Sequence, residues 1–437
     1  MFDELKSITD VYPASEAYKY DETPKTISPK AVDDFVVVKP KSPEEVAEVL
    51  RFASENRIPV FVRGGGTGLS AGVVPTQSGI VLSTERLKKL EIDFENRIAI
   101  CEAGVTLKQL IEKVEKLNLD FPIHVAETAT IGGMVATNAG GIKALRYGTM
   151  RNFVLGLEVA LPNGKILEFG SKTYKNSSGY QLQSLVVGSE GTLCVITKAY
   201  LKLIPKTDEI FIAIPFRDFY KAISSVVKIL GLGVFPSAIE FMELEAVKIG
   251  EVVSGKRWVC DEGEAHLLII VDRFEDAEKI AKVVEGNAID VFIATSRREK
   301  RNLIEIRKSI YEGLRRDIIE ILDICIPPAY IPEYVYKSKR IAEKYGIKLI
   351  TYGHAGDGNI HQHPLVFENW QDIYFEFRKE LFRLAKSFSG VLSGEHGIGC
   401  IKVNEFKRFV SRENLEIMRK LKCVFDPNGI LNPGRVI

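Results

Sequence analysis

Four of the six histidines fall between residues 354 and 396, in two glycine-rich clusters. The first reads Gly353-His354-Ala355-Gly356-Asp357-Gly358-Asn359-Ile360-His361-Gln362-His363. The second reads Ser393-Gly394-Glu395-His396-Gly397-Ile398-Gly399. Imidazole titrates closer to neutrality than any other side chain and is the commonest metal ligand. Carboxylates stand within both clusters, and glycines let backbone approach a ligand closely. The combination suits proton transfer or metal binding, and it places the chemistry in the last fifth of the chain.

The elements that must carry these residues are those of a chain too long for one core, so two or three domains are expected. Hydrophobic residues make up 46% and charged residues 27%, an ordinary soluble composition. The net charge of 59 − 58 = +1 offers no electrostatic case for nucleic acid or an anionic membrane as main partner. No apolar run reaches the roughly 18 residues of a membrane-spanning helix. Met1-Phe2-Asp3-Glu4-Leu5-Lys6 has neither the basic nor the apolar region of a signal peptide, so a cytoplasmic location is expected. Cys101, Cys194, Cys260, Cys325, Cys400 and Cys423 are dispersed, without a Cys-x-x-Cys pair. That removes zinc ribbons and iron–sulfur ligation and leaves buried thiols as the expectation.

The first half alternates strand and helix signals. Ser42-Pro43-Glu44-Glu45 reads as a capping box with proline at the first helical position. Thr106 with Gln109 caps a second helix, whose apolar face is Leu107, Leu110, Ile111, Val114 and Leu117. Strands are expected at 58–62, 79–83, 98–103, 155–161, 166–169 and 192–203. Near residue 206 glycine thins out. Strands at 210–214, 267–271, 291–295 and 347–352 then alternate with helices near 218–230, 274–286, 300–320, 332–345 and 369–388. The fold class is therefore α+β.

Two motif matches in the first half fail on context. Gly66-Thr67-Gly68-Leu69-Ser70-Ala71 fits a dinucleotide fingerprint, and Gly68-Leu69-Ser70-Ala71-Gly72 fits a nucleophile elbow. Each must open a helix, and Val73-Val74-Pro75-Thr76-Gln77 cannot. What remains is a strand running into consecutive glycines, whose N–H groups can form an anion nest. A second glycine-rich segment, Thr130-Ile131-Gly132-Gly133-Met134-Val135-Ala136-Thr137-Asn138-Ala139-Gly140-Gly141, reads as another loop. Two such segments suit an extended dinucleotide without a Rossmann helix.

Together the segments RGGGTGLS, TIGGMVATNAGG, RYG, GLEVALPNG and GSEGTL resemble the FAD-binding domain of the vanillyl-alcohol oxidase (PCMH-type) flavoproteins. GHAGDGNIH, SGEHGIG and FDPNGILNPGR resemble the C-terminal domain of FAD-linked oxidases, a combination typical of D-lactate dehydrogenases, the glycolate oxidase catalytic subunit and D-2-hydroxyglutarate dehydrogenases. The likeness runs through nearly the whole chain from about residue 30. It implies a two-subdomain FAD-binding domain at 1–206, an α+β substrate domain with a ferredoxin-like antiparallel sheet at 207–405, and a segment at 406–437 returning to the FAD domain.

The resemblance implies that Gly64, Gly65, Gly66, Thr67, Gly68, Leu69 and Ser70 wrap the FAD pyrophosphate. Thr130, Gly132, Gly133, Asn138, Gly140 and Gly141 would line the flavin and ribityl chain, with Ile196 at the isoalloxazine edge and Asn432 approaching from the C-terminal segment. The first loop lacks the histidine common in covalent members, so noncovalent FAD is expected. Met134 stands where relatives usually carry asparagine. His354 and His361, brought together by a turn through Gly356, Asp357 and Gly358, would join Glu395 in a two-histidine, one-carboxylate set for zinc or another divalent metal. A second arrangement pairs His361 with His363 on one strand face, and a structural hydrogen-bond network is the plain alternative. His396 would act as general base and Arg307 would hold the substrate carboxylate, the hydride passing from Cα to flavin N5.

Ile321 stands where dicarboxylate-specific relatives carry lysine, and Tyr311 where threonine is common. That favours a small 2-hydroxy acid such as D-lactate or glycolate over D-2-hydroxyglutarate. An external acceptor is required: an iron–sulfur subunit, an electron-transfer flavoprotein, a quinone or a cytochrome. A homo-oligomer is compatible with the sequence. A metal-dependent hydrolase would leave both glycine segments without a purpose, and a non-catalytic subunit would have no reason to keep the histidines.

Overall fold

The computed structural model describes residues 2–437, with side chains from Glu4 onward. Two compact units account for the chain. The first comprises residues up to Gly141, Gly148–Lys206 and Glu395–Ile437; the second comprises Ile142–Tyr147 and Thr207–Gly394. The chain re-enters the first unit at Glu395, earlier than the residue 406 expected, so Glu395 and His396 belong with the glycine segments.

In the first unit, four strands lie in the order Val11–Pro13, Phe35–Val38, Gly79–Ser83, Val60–Arg63, the last three parallel. Helix Pro43–Glu55 packs Val46, Val49 and Leu50 into a core with Val38, Val60, Leu82 and Leu431. Ser42 caps this helix by accepting from the Glu45 N–H, but the expected reciprocal bond is absent. The Glu45 carboxylate instead receives the Lys41 N–H at 2.9 Å and the Thr9 hydroxyl at 2.9 Å. A second, antiparallel sheet runs Leu90–Asp93, Ile98–Glu102, Val195–Lys202, Val154–Ala160, Ile166–Gly170. Helix Leu107–Glu115 carries a full Thr106/Gln109 capping box, and Leu117 lies beyond its end, exposed.

The second glycine segment departs from expectation. Ile131–Thr137 is a helix. The Thr130 side chain accepts from the Gly133 N–H at its start, and Asn138 closes it in the left-handed conformation at φ 52°. Two glycines lower helix propensity, which hides this element in the sequence. Packing requires one of them: a Cβ on Gly132 would stand 2.7 Å from the Cβ of Ala103. The turn-rich C-terminus lies along Val60–Arg63, with the Val60 N–H donating to Ile430 O and the Asn432 N–H to Val60 O, each at 2.8 Å.

The second unit holds one seven-stranded antiparallel sheet. Its order is Phe292–Ala294, Ile210–Phe216, Ala265–Val271, Ala238–Glu243, Leu349–His354, Asn359–Pro364, Leu322–Cys325. Ala265–Val271 is buried at every position, so its apolar run needs no alternation. Helices Phe219–Leu230, Leu244–Ser254, Phe274–Val284, Arg297–Leu314, Ile331–Lys344 and Trp370–Ser387 accompany the sheet. Helix Arg297–Leu314 ends before the expected residue 320.

No helix among the described residues is long and apolar enough to cross a membrane. Of the cysteines only Cys101 and Cys194 are buried; the other four are partly or fully exposed, contrary to the expectation of buried thiols, and none is in a disulfide among the described residues.

Candidate functional site

On a pleated strand alternate residues share a face, and cross-strand register aligns them. In the second unit Tyr352 pairs with His361 and His354 with Asn359, while Asp323 pairs with His361 and Glu240 with His354. One sheet face therefore carries Asp323, His361, Tyr352, Asn359, His354 and Glu240. The His354 and His361 rings lie 5.2 Å apart, edge to face. The turn that joins their strands closes with the Gly358 N–H donating to His354 O at 3.2 Å. Gly358 sits at φ 94°, where a Cβ would be 1.9 Å from Ile326 O. Only glycine lets the chain reverse there.

The surroundings hold both rings in place. His354 Nδ1 donates to Glu240 Oε1 at 2.6 Å, so a metal bond from this ring must come from Nε2. His361 Nε2 meets Asn359 Oδ1 at 2.9 Å and lies 3.7 Å from Asp323 Oδ1, so a ligand bond there would come from Nδ1. Asn359 in turn donates to Asp323 at 2.7 Å, and Asp323 also receives the Ser393 hydroxyl at 2.7 Å. Imidazoles tethered through one nitrogen by carboxylates and amides are what a divalent metal site needs in its outer shell, so the donor set fits such an ion.

Arg307 is buried rather than a solvent-facing helix arginine. Its Nε donates to Glu240 Oε2 at 2.8 Å, and its guanidinium lies over the Tyr352 ring at 4.6 Å. Burial alone would raise the Glu240 pKa; its partners His354 and Arg307 outweigh it and hold the carboxyl below its usual range. His363 stacks on Tyr352 at 4.7 Å between centroids and 13° between planes. It joins no cluster of metal-capable side chains among the described residues, so the His361/His363 pairing finds no support. Glu240 is absent from the sequence expectations. Its signal was a lone carboxylate inside the apolar run Ala238-Ile239-Glu240-Phe241-Met242.

The first unit contains a cavity of about 90 Å³, open to solvent and walled by Gly64, Gly132, Gly133, Ile196 and Asn432 among others. The two glycine segments meet closely: a Cβ on Gly64 would be 2.3 Å from Thr130 Oγ1, and one on Gly65 would be 2.5 Å from Thr128 O. Backbone N–H groups and small residues are thus brought to the cavity wall, as a dinucleotide requires, and the residues fit FAD. Gly72, Val73, Thr84, Ala136, Thr137, Glu190, Gly191 and Cys194 also line the cavity, although none of them was expected as a cofactor contact. Burial pushes the Cys194 thiol up to about 12, so it is unreactive.

Other expected residues lie away from the cavity wall. Asn138 Oδ1 receives the Thr149 hydroxyl at 2.9 Å and the Arg151 N–H at 3.0 Å. Gly141 at φ 139° packs on the His124 backbone, and Gly66 at φ 69° on the Arg63 guanidinium. Gly68, Thr67 and Leu69 lie at least partly exposed in the loop. Ser70 is buried, and its hydroxyl donates to His396 O at 3.0 Å and Gly397 O at 3.1 Å.

Glu190 fixes the same turn from the other side. Its carboxylate accepts the Ile398 and Gly399 N–H groups, each at 2.7 Å, and burial raises its pKa in spite of those bonds. Asn432 donates to Glu190 O at 2.6 Å and accepts the Val62 N–H at 2.9 Å. The His396 and Glu395 side chains lie 3.5 Å apart, and a Cβ on Gly140 would be 3.2 Å from Glu395 Oε2. Hence Glu395 and His396 are held by cavity-lining elements of the first unit, whereas His354 and His361 lie in the sheet of the second and Arg307 in a helix packed on it.

Residues 206–436 match the family described as FAD linked oxidases, C-terminal domain, and residues 35–170 match an FAD binding domain. The chain is 56% identical to a D-lactate dehydrogenase of Archaeoglobus fulgidus, over 100% of this chain and 98% of that one. It is 35% identical to the glycolate oxidase subunit GlcD of Bacillus subtilis, over 96% of this chain and 91% of that one. Among solved structures it resembles a substrate-bound p-cresol methylhydroxylase, with a TM-score of 0.79 at 15% identity, covering 99% of this chain and 95% of that one. At that identity the likeness speaks for the fold alone.

Proposed function

This chain belongs to the FAD-linked oxidase family, and from that premise we propose that it oxidises a small D-2-hydroxy acid, D-lactate or glycolate, to the 2-oxo acid, passing the electrons to an external acceptor. The observation that carries the reading is the buried Arg307, reaching from its helix over the sheet face that carries His354 and His361: a fixed cation for a carboxylate beside two imidazoles suited to a metal.

When bound, noncovalent FAD supplies the acceptor for the hydrogen and electrons leaving C2, and a divalent metal, zinc by the ligand chemistry, supplies a Lewis acid for the hydroxyl. His354, His361 and Glu395 would hold the metal. Arg307 binds the substrate carboxylate with its planar donors, and His396 takes the hydroxyl proton. The cavity of the first unit takes the cofactor through its glycine backbone. The similarity to a glycolate oxidase subunit favours a second form of the same reading, in which another subunit receives the electrons; an electron-transfer flavoprotein, a quinone or a cytochrome would serve the same role. A D-2-hydroxyglutarate-type substrate is the remaining alternative. A cytoplasmic site of action is part of the proposal.

The test is a dye-reduction screen of the FAD-loaded protein with D- and L-2-hydroxy acids, with and without a chelator. Reduction by D-lactate or glycolate, lost on chelation and restored by zinc, is the expected result. No flavin absorbance after incubation with FAD would overturn the cofactor assignment, and undiminished activity after full metal removal would overturn the metal.

A further inference from the structure

Glu240 is fully buried in a strand at the middle of the seven-stranded sheet, and its two oxygens serve two different partners. Oε1 takes the His354 Nδ1–H at 2.6 Å. Oε2 takes the Arg307 Nε–H at 2.8 Å, with Nη2 2.6 Å away. Arg307 comes from helix Arg297–Leu314 and His354 from the neighbouring strand, so this carboxylate ties a helix to a hairpin. A buried carboxylate of this kind costs several kcal/mol of desolvation, and well-packed apolar side chains often serve stability equally well. Stability alone therefore does not account for it.

The two groups it holds are those assigned above to the metal and to the substrate carboxylate. With one edge of the guanidinium on Glu240, the other edge keeps donors for a planar carboxylate. With Nδ1 on Glu240, the imidazole is fixed in the tautomer whose Nε2 can bind a metal. We propose that Glu240 is a positioning residue that couples the metal ligand His354 to the substrate-binding Arg307, so that metal affinity and substrate affinity are set by one carboxylate. The guanidinium lies over the Tyr352 ring, on which His363 stacks, so His363 touches the same device through Tyr352. This inference rests on the metal and substrate assignments of the preceding subsection.

The experiment compares wild type with E240Q, E240L and E240D, each loaded with FAD. Zinc affinity is measured by chelator competition without substrate, and KM and kcat for D-lactate by dye reduction. An amide has one acceptor oxygen, so E240Q can satisfy His354 or Arg307 but not both. E240L is expected to lose roughly 10–100-fold in zinc affinity and to raise KM more than it lowers kcat. E240Q should lose either zinc affinity or substrate affinity, and E240D should recover part of both. The flavin spectrum and unfolding midpoint identify a variant that has failed to fold, and E240Q, the same shape as glutamate, keeps the comparison decisive. A wild type that binds no zinc would overturn the reading beneath and the inference with it. A wild type that binds zinc beside an E240Q matching it in both zinc affinity and KM would overturn the inference alone.

Discussion

Histidines on one sheet face meet different fates because their neighbours differ. His354 and His361 are tethered by Glu240 and Asn359. His266 shares their face through the register Tyr352–Met242–His266, yet it is buried and accepts the Trp258 indole N–H at Nδ1, 3.1 Å away. Burial lowers its pKa from 6.5 to about 4. A histidine with a depressed folded-state pKa is neutral in the fold while the unfolded chain takes up a proton. Its contribution is thus intact above pH 6.5, declines as pH falls, and is fully lost below about 4. At pH 5.5 the loss is on the order of 1 kcal/mol. Urea unfolding midpoints at pH 7.5 and 5.5 should therefore differ less in H266F than in wild type, even though the variant starts lower for want of the indole's acceptor. An equal acid shift in both proteins would place the titrating group elsewhere.

At the scale of elements, the hairpin Leu349–His354/Asn359–Pro364 depends on one backbone conformation. G358A would combine a left-handed φ with a contact against the Ile326 carbonyl, and should cost on the order of 3 kcal/mol. Differential scanning fluorimetry would read that loss, and zinc affinity should fall with it because the turn sets the His354–His361 spacing; a wild-type melting curve would show that the turn tolerates a side chain. This hairpin was legible in part. The strand up to Tyr352 followed from its apolar run, whereas Asn359–Pro364 carries histidine, glutamine and asparagine where β-branched residues would have marked a strand. Polar residues persist there because hydrogen bonds to Asp323, Ser338 and Asn359 satisfy them, which no local pattern reveals. Strand Ala238–Glu243 was missed for a related reason: a glutamate interrupts its apolar run. The helix Ile131–Thr137 was concealed by its glycines, which tertiary packing against Ala103 demands.

For the whole molecule, the order of motifs made the family legible, while the assignment of segments to units had to come from the fold. The cavity wall draws on residues 62–73, 84, 132–137, 190–196 and 432, all in the first unit although the chain leaves it between Lys206 and Glu395. Long-range returns of this kind, such as Asn432 bonding Val62 and Glu190, leave no periodicity in the sequence. They do have a thermodynamic consequence. A ligand that binds only the native state stabilises it by about 2.7 kcal/mol at a hundredfold excess over Kd, and amides whose exchange requires opening of that unit slow accordingly. FAD should then slow hydrogen exchange together at 60–63, 79–83, 131–137, 195–202 and 430–432, segments far apart in sequence. Zinc should act most on 349–354 and 359–364. Mass-spectrometric exchange on the apo protein with FAD alone and with zinc alone separates the two. FAD protection that covers the first glycine segments but spares 430–432 would remove Asn432 from the cofactor site, because its backbone bond to Val60 makes that segment part of the same wall.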